Sequence, residues 1–240
     1  MMKTILEAGN KFGGRIVLSL VLVLALGFAN VLNGYAEEET IAVYDVYEDT
    51  SQYDEINEYL IQRGREILAN PQSRATVKLS NIKRLKQADS RWAEVEMQTT
   101  GDTIGKAGCC LTSFTMVRNL ISSKSDTPAT VNTALGDNAC PFKWQPAADI
   151  YGYTILTAVS KDNGISDESA RLNVVGAIDE YSRPAIIGLK NNSGTHFVVG
   201  YGYTSEGDII ICDPAGRNYT MLSQYFDEGY FVHRLYVYSR

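Results

Sequence analysis

Apolar residues at Tyr53, Ile56, Leu60 and Ile67 recur with the spacing of one helical face, which predicts an amphipathic helix over 52–68. It should stop near Asn70-Pro71, because a proline cannot continue the hydrogen-bond ladder. Leu111, Phe114, Val117 and Ile121 repeat the pattern and predict a helix over 108–121, following a glycine-punctuated loop. A further helix is predicted over 167–181. The pattern then changes: 185–189, 196–203, 209–212 and 230–238 read as strands, and Ser205-Glu206-Gly207-Asp208 as the turn of a hairpin. Helices first and antiparallel strands after define an α+β class.

The chain begins differently. Lys3, Lys11 and Arg15 precede an apolar run over 16–29, shorter than the roughly 20 residues a spanning helix needs. Gly34 and Ala36 then offer a small-residue cleavage site before Glu37. Residues 1–36 therefore read as a signal peptide, which implies a secreted or cell-surface protein of bacterial type with no stable membrane span once the leader is removed. The competing reading is an uncleaved anchor extended to Leu32. After it comes an arm over 37–82 with opposed charges: nine acidic and no basic residues from Glu37 to Glu58, then seven basic and one acidic from Arg63 to Lys86. It reads as a solvated linker with one helix docked on the domain, or as a pro-segment or partner-binding arm. Residues 83–240 form the expected folded domain.

Composition narrows the chemistry. At 240 residues, 45% hydrophobic and 21% charged, the chain supports a sizeable core. A net charge of −6 argues against a nucleic-acid partner, since phosphate binding needs clustered Lys and Arg. Loss of three basic residues and Glu7 with the leader takes the charge to −8. Two histidines and four cysteines without CxxC spacing give no support for a structural metal, and no cofactor is expected. The stretch from Gly101 to Ala107 imitates a phosphate loop but is one residue short between its glycines and ends in Ala107, not Ser or Thr.

What remains is a thiol at a helix start. Gly108-Cys109-Cys110 opens the helix predicted over 108–121, where unpaired backbone N–H groups favour negative charge. An ordinary thiol is only about 3% ionised at neutral pH, and a helix N-terminus with an imidazolium neighbour raises that fraction. His196 stands at the end of a predicted strand; Asp213 ends the next, before Pro214. The two are opposite if the hairpin folds about Thr204-Ser205, and diagonal if it folds slightly later. An aspartate there orients the imidazole and selects its tautomer. His233, inside a strand with no carboxylate expected nearby, is the weaker candidate base. Adjacent helical residues point about 100° apart, so only one of Cys109 and Cys110 can face His196.

Together these residues resemble the papain-like cysteine peptidases, in particular secreted stand-alone relatives of the bacteriocin-processing (double-glycine) peptidases. The matching pieces are Gln87-Ala88-Asp89-Ser90-Arg91-Trp92, Gly108-Cys109-Cys110-Leu111-Thr112-Ser113, Gly194-Thr195-His196-Phe197 and Asp213-Pro214, in the family's order. Cys110 and Leu111 replace the usual Gly-Pro. The resemblance spans about 83–240 and implies a papain-like fold with the cysteine helix packed on an antiparallel sheet. It also implies Cys109 as nucleophile, His196 as base and acid, Asp213 as its orienting partner, and Gln87 as a donor to the oxyanion. The implied activity is hydrolysis of a peptide or protein substrate through a thioester. Two other readings use the same residues: a thiol acyltransferase or amidase on cell-wall or small peptides, and an inactive peptide-binding module. The sequence leaves open whether Cys110 is free or paired with Cys140 or Cys212.

Overall fold

The computed structural model describes residues 48–70, 75–97 and 100–240. The leader expected over 1–36 and the start of the arm, to residue 47, lie outside them. The described residues belong to one unit that begins at Glu39. In chain order its elements are α1 (Asp54–Ala69), β1 (Val77–Lys78), α2 (Ile104–Ala107), α3 (Cys109–Ser122), α4 (Pro128–Leu135), α5 (Trp144–Tyr151), β2 (Thr154–Ile165), α6 (Asp167–Tyr181), β3 (Ala185–Asn191), β4 (Gly194–Tyr203), β5 (Ile209–Cys212), α7 (Ser223–Phe226) and β6 (Phe231–Ser239). The class is α+β with an antiparallel sheet, ordered β1-β4-β3-β6-β2, with β5 also paired to β4.

Successive side chains of the central strands enter two separate cores, as a pleated strand requires. Ile186, Val199, Tyr236 and Tyr238 join one with Leu111, Phe114 and Val117 of α3. Ile187, Val198, Leu235 and Val237 join the other with Val174, Val175 and Ile178 of α6 and with Leu60 and Ile67 of α1. The sheet is therefore covered on both faces, which explains why its strands read as continuous apolar runs.

The helix expected over 52–68 is an integral part of the second core. Its two faces of contact are reciprocal: a Cβ placed on Gly64 would lie 2.2 Å from Leu172 O, and one placed on Gly176 would lie 2.2 Å from Leu60 O. α1 and α6 thus approach backbone to backbone. Buried Asn57 ties the same helix to the sheet, donating to Ala158 O (2.9 Å) and accepting from Thr157 Oγ1 (2.5 Å) and Asn173 Nδ2 (2.8 Å). Leu79 N–H donates to Tyr201 O just beyond β1, so the arm continues along the sheet.

Two strands break the expected order of helices before strands, the short β1 ahead of α2 and the longer β2 ahead of α6. β2 pairs with β6 at the sheet's far side. Its residues Thr157–Ser160 are all buried, without the alternation that marks a half-exposed strand, and its register shifts before Ile165. Among the described residues no helix is long and apolar enough to cross a membrane.

Candidate functional site

The site forms where the start of α3 meets the start of β4 and the end of β5. Gly108 is the N-cap residue of α3 and Cys109 its first helical residue. Position 108 has no room for a side chain, since a Cβ there would lie 2.4 Å from Ile104 O of α2. Ser113 Oγ, one turn past Cys109, donates to Phe197 O at 3.2 Å and fixes α3 against the strand that carries His196.

The β4–β5 hairpin turns where expected, Gly207 and Asp208 closing on Thr204. Its register pairs Val199 with Cys212 but Tyr203 with Ile209, an irregularity of one residue between Gly200 and Gly202. Asp213 therefore lies diagonal to His196 and not opposite it. The diagonal is within reach: His196 Nε2 is 2.8 Å from Asp213 Oδ1. With Nε2 engaged, Nδ1 is the ring nitrogen left for the thiol.

The electrostatics follow from the neighbours. Burial works against a charged His196 imidazole, but hydrogen bonding to Asp213 and Cys109, and the charge of each, outweigh it and raise its pKa to about 9. Burial also opposes charge on Asp213. There the hydrogen bond and charge of His196, with donors Tyr225 Oη and Ala215 N–H, hold the carboxyl below its usual range. The aspartate side chain is only 1% exposed and the histidine 12%, so the pair sits in a low-dielectric setting with one side open. Burial pushes the Cys212 thiol up to about 11 and the Cys140 thiol upward as well.

The two adjacent thiols are separated by the helix. Cys109 is half-buried and interacts with His196, whereas Cys110 points into the core behind α3. None of the four cysteines is in a disulfide, so Cys110 is bonded to neither Cys140 nor Cys212. His233 is fully buried in β6, its ring 6.1 Å from Phe197.

Gln87 is anchored beside the site. Its backbone N–H donates to Pro214 O at 2.8 Å, joining its loop to the segment after Asp213. Its side chain Nε2 donates to Gly105 O at 2.9 Å, in the helix leading to Cys109. That bond fixes the amide orientation, since a flipped amide would set two oxygens together, and it uses one of the two N–H bonds. Gln87 Oε1 is buried and accepts no hydrogen bond.

Tyr225 is the site residue that sequence reasoning missed. Fully buried on α7, it donates its hydroxyl to Asp213 Oδ2 at 2.8 Å. Nothing marks it among 15 tyrosines. A cavity of about 550 Å³ lies elsewhere, between the C-terminal ends of α3 and α6 and residues 79–83, and contains none of the site residues named above. Its size is a weaker guide to chemistry than the converging polar groups at Cys109. Among the described residues no three His, Cys, Asp or Glu side chains gather as metal ligands. The chain matches no protein-family model, no curated protein and no solved structure.

Proposed function

We propose that the protein is a cysteine-type hydrolase that cleaves peptide bonds through a thioester, with a papain-like arrangement of its site. The carrying observation is the contact chain Cys109–His196–Asp213, built from a helix start and the two ends of a hairpin.

In this reading His196 takes the Cys109 proton and the sulfur attacks the substrate carbonyl carbon. A C–S bond forms and the carbonyl π pair moves onto oxygen. That oxyanion meets the N-terminal N–H groups of α3, Cys109 among them, with the second Gln87 N–H as an added donor. Collapse expels the amine, which takes its proton from His196. Water, deprotonated by His196, then attacks the thioester, releases the acid and restores the thiol. Asp213 holds the imidazole in the required tautomer throughout. The expected substrate is a peptide or protein met outside the cell, in keeping with the leader-like first 36 residues.

The test is incubation of the purified protein with a mixed peptide library, followed by mass spectrometry with and without an added amine acceptor. Hydrolysed products lost in Cys109→Ala are expected. Amine-capped products would favour the acyltransferase reading, and intact peptides would contradict hydrolysis.

A further inference from the structure

We infer that Tyr225 is a positioning residue of this site, a fourth link that holds the Asp213 carboxylate in the orientation His196 needs. The inference rests on the hydrolase reading above and deepens it.

Asp213 must serve His196 from a place where water has little access. A buried carboxylate is tolerated only when donors cover both its oxygens. Oδ1 accepts from Ala215 N–H at 2.8 Å as well as meeting His196 Nε2. Oδ2 is covered by the Tyr225 hydroxyl. Loss of that donor leaves one oxygen of a buried charge bare, and the carboxylate is then free to rotate toward another partner or to take up a proton. Either change weakens its grip on the imidazole. The coupling is thus through Asp213, and Tyr225 itself touches no reacting atom.

Two features suit Tyr225 to this task. Its ring is clamped edge-on by Tyr219 (centroids 5.1 Å apart, 85°) and Tyr230 (5.3 Å, 88°), and it lies 5.7 Å from the His196 ring. The short helix carrying it is pinned to the hairpin itself: Leu222 N–H donates to Ile209 O of β5, Gln224 Oε1 accepts from Thr220 and Met221 N–H, and Ser223 N–H donates to Asp208 Oδ1. Burial and the adjacent carboxylate also push the phenol pKa well above its ordinary value, which keeps the hydroxyl protonated as a donor.

Tyr225→Phe keeps the ring and deletes only the hydroxyl. With just two histidines, the His196 ring signals can be followed by NMR against pH in wild type, Tyr225→Phe and His233→Gln, the last serving to assign them. The low-pH inflection that Asp213 imposes on the His196 signals should move upward by about 0.5–1 unit in Tyr225→Phe. The rate of Cys109 alkylation should fall about 10-fold. An unchanged inflection, with or without loss of thermal stability, would overturn the positioning role, because a merely structural tyrosine lowers stability without shifting a titration. The NMR readout needs no turnover. A wild-type protein that cleaves nothing therefore counts against the hydrolase reading, while the titration still judges Tyr225.

Discussion

His196 Nε2 lies 2.8 Å from Asp213 Oδ1, a contact between a strand start and a strand end seventeen residues apart, made diagonal by one irregular residue in the hairpin. The raised imidazole pKa depends on it. Asp213→Asn removes the charge while keeping the shape, so the His196 pKa should fall from about 9 toward its ordinary 6.5. Peptide hydrolysis should fall about 100-fold, and the alkaline limb of the rate profile should move to lower pH. A steady-state pH series on both proteins checks this.

The same pair makes stability pH-dependent in a definite direction. His196 is raised in the fold, so its contribution is complete below about pH 6.5 and is lost as pH rises through about 9. Asp213 is lowered, so its contribution is present above its unfolded value of 3.8 and is lost as pH falls through the depressed folded one. A shift of this size in His196 corresponds to on the order of 3 kcal/mol. Denaturant unfolding between pH 6 and pH 10 should show the alkaline loss in wild type and a flatter profile in His196→Gln.

The backbone contact between α1 and α6 leaves no room for a methyl group. Gly64→Ala and Gly176→Ala each push a Cβ into a facing carbonyl, so each should cost about 2 kcal/mol or more and lower Tm by about 4–8 °C. Exposed Glu55→Ala on the same helix should change Tm little. Calorimetry of the three variants separates packing from helix propensity.

Asn57→Ala should be severe for a different reason. It strands the buried Thr157 hydroxyl, Asn173 amide and Ala158 carbonyl together, at about 3 kcal/mol. Because Leu60 and Ile67 also fill the core, deletion of residues 48–70 should abolish cooperative unfolding instead of raising activity, as removal of an inhibitory pro-segment would. Thermal melts and peptide hydrolysis of the truncated protein distinguish the two.

Several elements expected from the sequence agree closely with the structure. The helix expected over 167–181 spans those residues, and the one expected over 108–121 runs one residue later at each end. The strand over 209–212 also stands as expected. The eight-residue helices α4 and α5 escaped notice because they are too short for a repeating face; the first depends on a Thr127–Thr130 capping box and Pro128. β2 escaped because Thr157–Ser160 at its middle are buried on both faces and show no alternation. In the site, nearness of His196 and Asp213 was legible because a hairpin converts sequence spacing into distance. The Tyr225 contact was not, since it depends on how a four-residue helix returns across the sheet end. The choice between Cys109 and Cys110 also required three dimensions: it turns on which side of α3 faces the core.

The most direct measurement of the central claim is mass-spectrometric mapping of one-equivalent alkylation at neutral pH. Wild type and Cys110→Ala should carry the label on Cys109, while Cys109→Ala should remain unlabelled, because Cys140 and Cys212 are buried with raised pKa values and Cys110 faces the core. Rapid labelling of Cys109→Ala, or of Cys110 in the wild type, would contradict the account.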